Sequence, residues 1–304
     1  MASTSQPLVS ILTPSFNQGR FLGDCLRSVA AQDYARIEHV VQDGASTDGS
    51  RDVLAAARPP PSWVSEPDTG QAQAVNRALN RSCGSILGWI NSDDALFSVD
   101  TITTIVRAFD RHPGIDVIFG DAAMMTADGR LLRHFRPPAI NWHRLPYGWS
   151  PLSQPATFLR RSALRPGEAL LNEDLHLTLD LELWLRLVSR GCRFLRVSRT
   201  LAADRNHPDR KYHTIAKRHD SEWALLAHEY DVRFDRPGVR LNLSVALGRL
   251  AGVPSVLGWR RRYRAAFAWS VDTYGRRLVR QVMLTHSAQA SRALQTDERR
   301  PGSY

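Results

Sequence analysis

Two rhythms of hydrophobic and polar positions alternate over the first 120 residues of the chain. Short apolar runs at 8–13, 37–41, 62–64, 86–90 and 116–119 predict strands. Between the first two, Phe21, Leu22, Cys25, Leu26 and Val29 recur at helical spacing, and further helices are predicted over 50–57, 71–79 and about 101–109. Strands alternating with helices of this length make βαβ units, so the pattern predicts an α/β fold, a Rossmann-like mainly parallel sheet with helices on both faces. After residue 120 the rhythm changes. Residues 122–135 read as a hairpin turning at Asp128-Gly129, and Pro137, Pro138, Pro146, Pro151 and Pro155 mark a loop-rich stretch suited to shaping an acceptor site.

Charge divides the chain differently. Residues 1–232 carry 26 Lys+Arg and 26 Asp+Glu, whereas 233–304 carry 14 against 4, so the whole net charge of +10 lies in the tail. Residues 241–257 are apolar but interrupted by Gly248, Arg249, Gly252 and Pro254, and fall short of the roughly 20 residues a spanning helix needs. Beyond them Trp259, Tyr263, Phe267, Val271, Tyr274, Leu278 and Val282 form a stripe flanked by arginines, predicting a helical basic extension over 233–304. Two placements of the stripe stay open: an anionic membrane surface met through residues 258–282, or the protein body. No recognised reader motif accompanies the arginines, so a nucleic-acid partner is not expected. Cys25, Cys83 and Cys192 give neither a disulfide framework nor a zinc spacing. The first residues lack the order of a signal peptide, so a cytoplasmic location is the expectation, peripheral on the inner face of the plasma membrane if the tail meets lipid.

Candidate chemistry gathers where strands end, which is where open α/β sheets bind ligands. The run Ser85-Ile86-Leu87-Gly88-Trp89-Ile90 leads straight into Asn91-Ser92-Asp93-Asp94. Adjacent carboxylates there suit Mg²⁺ or Mn²⁺ held together with substrate phosphates; the alternative is that Ser92 or Asp93 caps the following helix. Two more polar clusters follow strands: Thr13-Pro14-Ser15-Phe16-Asn17-Gln18, and Gln42-Asp43-Gly44 with Ser46-Thr47-Asp48-Gly49-Ser50. Asp43 has the chemistry to accept the N–H edge of a uracil-like base or guanine, while 46–50 reads equally as a turn. None of the clusters has the glycine spacing of a dinucleotide fold or a P-loop, which argues against hydride transfer and ATP hydrolysis.

These motifs, with Ser65-Glu66-Pro67-Asp68-Thr69-Gly70 and Asn76, resemble the family 2 glycosyltransferases in order and spacing from residue 7 to about 215. The resemblance implies a GT-A fold over 1–232, with a nucleotide-binding half at about 7–120 and an acceptor half at about 121–232. It implies a nucleotide-sugar donor, a saccharide or lipid-linked acceptor, inversion at the anomeric carbon, and a divalent cation, Mn or Mg. By that resemblance Asp43 faces the base; Thr13, Ser15, Asn17, Asp68 and Asn76 belong to the nucleotide pocket; and Asn91, Ser92 and Asp93 meet the donor, Asp93 reaching metal and diphosphate. The family's acidic signature begins here with Asn91, a neutral and weaker metal ligand. Asp180, six residues before Arg186, resembles the family's later acidic motif and is the expected general base, with Glu182 second; Asp180 as a helix cap is the structural alternative. Arg205-Asn206-His207-Pro208 and Lys211 resemble a cationic loop closing over the diphosphate, with His207 a candidate metal ligand, and 154–158 resembles an acceptor-side strand. Two other readings stay open: an inactive glycosyltransferase-like binding module, favoured by Asn91, and a nucleotidyltransferase, disfavoured by the lack of a glycine- and basic-rich loop after the first strand.

Overall fold

The computed structural model describes residues 6–146, 150–211 and 219–235. Four strands, β1 (Val9–Ser15), β2 (Ile37–Asp43), β3 (Ser62–Ser65) and β4 (Ile86–Trp89), alternate with α1 (Gly19–Ala30), α2 (Ser50–Ala56) and α3 (Gln71–Arg81). They then give way to β5 (Ala95–Leu96), α4 (Thr101–Arg111), β6 (Val117–Thr126), β7 (Leu131–Phe135), β8 (Arg144–Pro146), β9 (Thr157–Arg160), α5 (Leu179–Ser189), β10 (Phe194–Asn206), α6 (His219–Glu229) and β11 (Arg233–Asp235). The main sheet has nine strands in the order β3-β2-β1-β4-β9-β6-β10-β5, with β7 paired to β6.

The β3-β2-β1-β4 portion is wholly parallel, as the βαβ pattern predicts. Strand β9 enters antiparallel between β4 and β6, and β10 runs parallel to β6. All seven residues of β1 are buried because helices cover both faces. Leu12, Leu87, Val117 and Leu159 pack towards Val75 and Leu79 of α3, Leu183 and Trp184 of α5, and Trp223 of α6. From the opposite face Val9, Ile11, Ile86 and Phe158 meet Cys25 of α1 and Ile102, Ile105 and Phe109 of α4.

Three boundaries differ from the sequence reading. Strand β6 continues through Gly120, so the predicted fifth strand and the first arm of the hairpin are one element. Strand β10 was not apparent, because Arg196, Ser198, Arg199 and Asp204 interrupt its apolar pattern; only Leu201-Ala202-Ala203 is a buried run. Residues 233–235 pair with β8, which carries the body beyond 232. Among the described residues no helix is long and apolar enough to cross a membrane. The apolar segment 241–257 and the stripe at 258–282 lie outside the described residues.

Candidate active site

Parallel pairing brings the strand ends together: Ser15 lies beside Asp43, and Asp43 beside Ser65. Asp43 is fully buried and accepts hydrogen bonds from the Ser46 amide at 2.9 Å, the Ser46 hydroxyl at 2.5 Å and the Ser65 hydroxyl at 2.6 Å. It therefore braces the turn that follows β2, in which Ala45 is left-handed with φ 61°. Gly44 is a close approach: a Cβ there would lie 2.8 Å from Asp68 Oδ2 and 3.2 Å from the ring of Phe16. Asp43, Gly44, Asp68 and Phe16 thus share one corner, and Phe16 is exposed to solvent there, 61% accessible. Burial raises the Asp68 carboxyl above its ordinary pKa, while the Gly70 amide and Arg77 pull the other way. Asn17 fastens two loops, its amide donating to Ser46 Oγ at 2.8 Å and its Oδ1 accepting from the Thr47 amide at 2.9 Å. Ser15 Oγ is buried at the same edge without a hydrogen-bond partner.

The acidic turn after β4 has its own organisation. Asn91 Oδ1 accepts from Gln71 Nε2 at 2.7 Å and Trp89 Nε1 at 2.9 Å, and its Nδ2 donates to Gln154 Oε1 at 3.0 Å and Asp94 Oδ2 at 3.2 Å. Gln154 in turn donates to the Trp89 carbonyl. Asp94 is buried and also accepts the Arg205 amide at 2.9 Å. Burial, then the charges of Asp93 and Asp204, raise its carboxyl well above the ordinary range. Ser92 is buried within the turn, and Asp93 keeps its carboxylate 2.9 Å from His207 Nε2. His207 is itself buried and packs on Phe21 with ring centroids 4.7 Å apart. Arg210 pairs with Asp204 at 2.9 Å; burial opposes its charge, but Asp204, Asp94 and Asp93 together hold its pKa up.

Asp180 is the second residue of α5, whose N-cap position is taken by Thr178. Burial raises its carboxyl above the usual range, against the pull of the Ser150 hydroxyl and of the Leu181 and Asp180 amides of the first turn, so it also serves the start of its own helix.

Five of the expected residues are engaged in internal contacts. The Thr13 side chain points inward, its hydroxyl 2.9 Å from His39 Nε2, because its β1 position faces α1. Asn76 is buried and holds the 171–173 loop, donating to the Leu171 carbonyl and to Glu173 and accepting the Leu171 amide, each at 2.9 Å. Arg205 sits on β10, not on an open loop. It is 2% exposed, and its guanidinium bonds the Asp93 carbonyl, the Ala127 carbonyl and Asp24, so it secures the acidic turn and does not present a free cation to a diphosphate. Glu182, the second-choice base, is buried between Arg186 at 2.9 Å and the Tyr230 hydroxyl at 2.6 Å. Asn91 turns its amide into the network above, donating to Asp94 and Gln154.

Sequence reasoning gave Gln71, Asp204, Arg210 and Phe16 no role of their own, and read Gln154 as part of an acceptor-side strand where it instead precedes β9 in a short 3-10 turn and bonds Asn91. Gln71 directly follows Gly70, and Arg210 lies inside the cationic segment already singled out; Asp204 comes near the turn only through β10. For a divalent cation, Asp93 and His207 supply one carboxylate and one imidazole. The carboxylate suits Mn²⁺ or Mg²⁺ if diphosphate oxygens complete the set, and the imidazole, a poor ligand for Mg²⁺, favours Mn²⁺. Among the described residues no group of three or more His, Cys, Asp or Glu is disposed to hold a metal unaided.

The fold is of the GT-A type. Residues 10–166, just over half of the chain, match the family described as Glycosyl transferase family 2, and the chain belongs to that family. An uncharacterized glycosyltransferase of Mycobacterium tuberculosis is 35% identical over 119 residues, covering 38% of this chain and 45% of that protein. The PGL/p-HBAD biosynthesis glycosyltransferase of Mycobacterium bovis is 30% identical over 128 residues, covering 41% and 50%. The chain therefore spans about half the length of the curated relatives it matches. The mannosyltransferase PcManGT of Pyrobaculum calidifontis, solved with GDP-Man and Mn²⁺, has a TM-score of 0.56 at 18% identity, over 97% of this chain and 89% of its own. At that identity the likeness bears on the fold alone.

Proposed function

We propose that this protein transfers a sugar, with inversion, from a nucleotide-sugar donor to a hydroxyl of a saccharide or lipid-linked acceptor in cell-surface polysaccharide or glycolipid synthesis. The observation that carries the reading is the meeting of Asp93 and His207 at the carboxyl edge of the sheet. The relative named for PGL/p-HBAD biosynthesis supports the reading of glycolipid synthesis, and a neighbour of the same fold solved with GDP-Man and Mn²⁺ is consistent with a nucleotide-sugar donor.

In this reading the base lies in the corner of Asp43, Gly44, Asp68 and Phe16. The Asp180 carboxylate takes the proton of the acceptor hydroxyl as its oxygen bonds to the anomeric carbon. The bond from that carbon to the diphosphate breaks on the opposite side, and its electron pair leaves with the nucleoside diphosphate. A raised pKa makes Asp180 a stronger base than a solvated aspartate. Asp93 and His207 would hold a divalent cation, which when bound would supply charge stabilisation for the departing diphosphate. Arg210 adds fixed positive charge beside them.

The test is the thermal unfolding midpoint against UDP, GDP and dTDP, each with and without Mn²⁺, since a ligand bound only to the folded state raises it. A metal-dependent rise with one nucleotide supports the reading and identifies the donor base. Absence of any rise speaks for the inactive module.

A further inference from the structure

Glu222 lies on α6, outside every motif that points to the reaction, yet it is 7% exposed and carries four hydrogen bonds. Its Oε1 accepts the His176 amide at 2.8 Å; its Oε2 accepts the Leu177 and Thr178 amides, both at 2.9 Å, and the Thr178 hydroxyl at 3.0 Å. These are the residues that lead into α5, and Asp180 follows Thr178 by two positions. The Thr178 side chain makes no cap bond to its own helix, so a carboxylate from another helix orders this entry instead. Burial works against the Glu222 charge, but the three amides outweigh it and hold the carboxyl below its ordinary range.

Lys211 Nζ lies 3.4 Å from Gln71 Oε1, and Gln71 is bonded to Asn91 in the acidic turn. Burial lowers the Lys211 pKa, and the charge of Glu222 acts against that.

We propose that Glu222 is a positioning residue for the transfer: it fixes the 176–178 segment so that Asp180 is held at the acceptor side of the site. Charge-assisted bonds to three consecutive amides fix a backbone far more rigidly than solvent does, and a base needs its geometry before its pKa matters. The inference rests on the assignment of Asp180 as the base.

A double-mutant cycle on the full chain tests it, read as release of nucleoside diphosphate from UDP-glucose, GDP-mannose or dTDP-rhamnose with Mn²⁺, water serving as acceptor. Glu222→Gln is expected to lower kcat about 10- to 100-fold, the scale of a misplacement near 1 Å. The donor KM should stay within about twofold, and the double variant with Asp180→Asn should be no slower than Asp180→Asn alone, because a residue acting only through another adds no further loss. Losses that multiply in the double variant, or a wild-type kcat in Glu222→Gln, would overturn the inference while leaving Asp180 in place. A wild-type rate in Asp180→Asn would remove the base assignment itself. If Glu222→Gln does not fold, Thr178→Val removes a single bond to the same carboxylate. It should lower kcat severalfold with the same lack of additivity, and a wild-type kcat there counts against the inference.

Discussion

Asn91 occupies the position where the family's acidic signature begins, and its four hydrogen bonds argue that neutrality is what the position requires. An aspartate would keep the oxygen that serves Gln71 and Trp89 but would turn a second oxygen towards Asp94 Oδ2 and Gln154 Oε1, where Asn91 now donates at 3.2 and 3.0 Å. Asn91→Asp is therefore expected to cost about 1–3 kcal/mol of stability, the penalty for buried acceptors left without donors. It should bring no gain in manganese affinity, both read from denaturation with and without the metal. A variant as stable as its parent that binds manganese more tightly would restore the view of Asn91 as a weakened ligand. Asp93 and Asp180 should separate cleanly. Asp180→Asn is expected to lower transfer by about 10²–10⁴-fold, the usual share of a general base, with the nucleotide-induced rise in unfolding midpoint retained. Asp93→Asn should abolish the metal-dependent part of that rise. Retained transfer in Asp180→Asn would move the base elsewhere.

At the scale of elements, α5 is placed by charges at both ends. Glu222 orders its entry, and Arg186 within it binds Glu182 at 2.9 Å and Glu168 at 2.5 Å, while Arg190 binds Glu168 at 2.7 Å. The bond from Arg190, helped by the Arg165 amide and Arg186, outweighs burial and brings the Glu168 carboxyl down to about 2. A carboxyl whose pKa is depressed on folding stabilises fully above its unfolded value near 4.5, and that stabilisation is lost as pH falls from there towards about 2. Glu168→Gln should thus unfold in less urea than the parent at pH 7, and the gap should narrow by pH 3. A gap of equal size at both would mean that packing, not charge, holds the segment. These links also explain what the sequence could reveal. The parallel strands and their polar ends were legible because a strand buried on both faces is a continuous apolar run that must stop at the site. Strand β10 and the roles of Asn76, Arg205 and Glu182 were not, since a polar side chain facing a distant loop looks the same in one dimension as one facing a ligand. Asp24 and Arg205 are 181 residues apart, and no local pattern joins them.

For the whole molecule, the informative quantity is the separation of charge: a balanced body up to residue 232, and 14 Lys+Arg against 4 Asp+Glu beyond it. A body without net charge gains little from an anionic surface, so attraction would have to come from the tail. Seven arginines at 260, 261, 262, 264, 276, 277 and 280 flank the apolar stripe. At about 1 kcal/mol for each basic residue near an anionic bilayer, all seven acting together would exceed the marginal binding of a single myristoyl chain, and an acceptor carried on lipid would then be reached without diffusion through solution. The full chain is expected to float with liposomes containing anionic lipid, to float poorly with neutral ones, and to be released as salt shortens the screening length. Deleting 258–304 should abolish flotation while leaving the manganese-dependent nucleotide shift intact, since every residue assigned to the donor site precedes residue 232. If flotation survives the deletion, the body carries the affinity and the stripe packs elsewhere. If the nucleotide shift disappears with the tail, the stripe belongs to the catalytic domain and its arginines act on the fold instead of on a membrane.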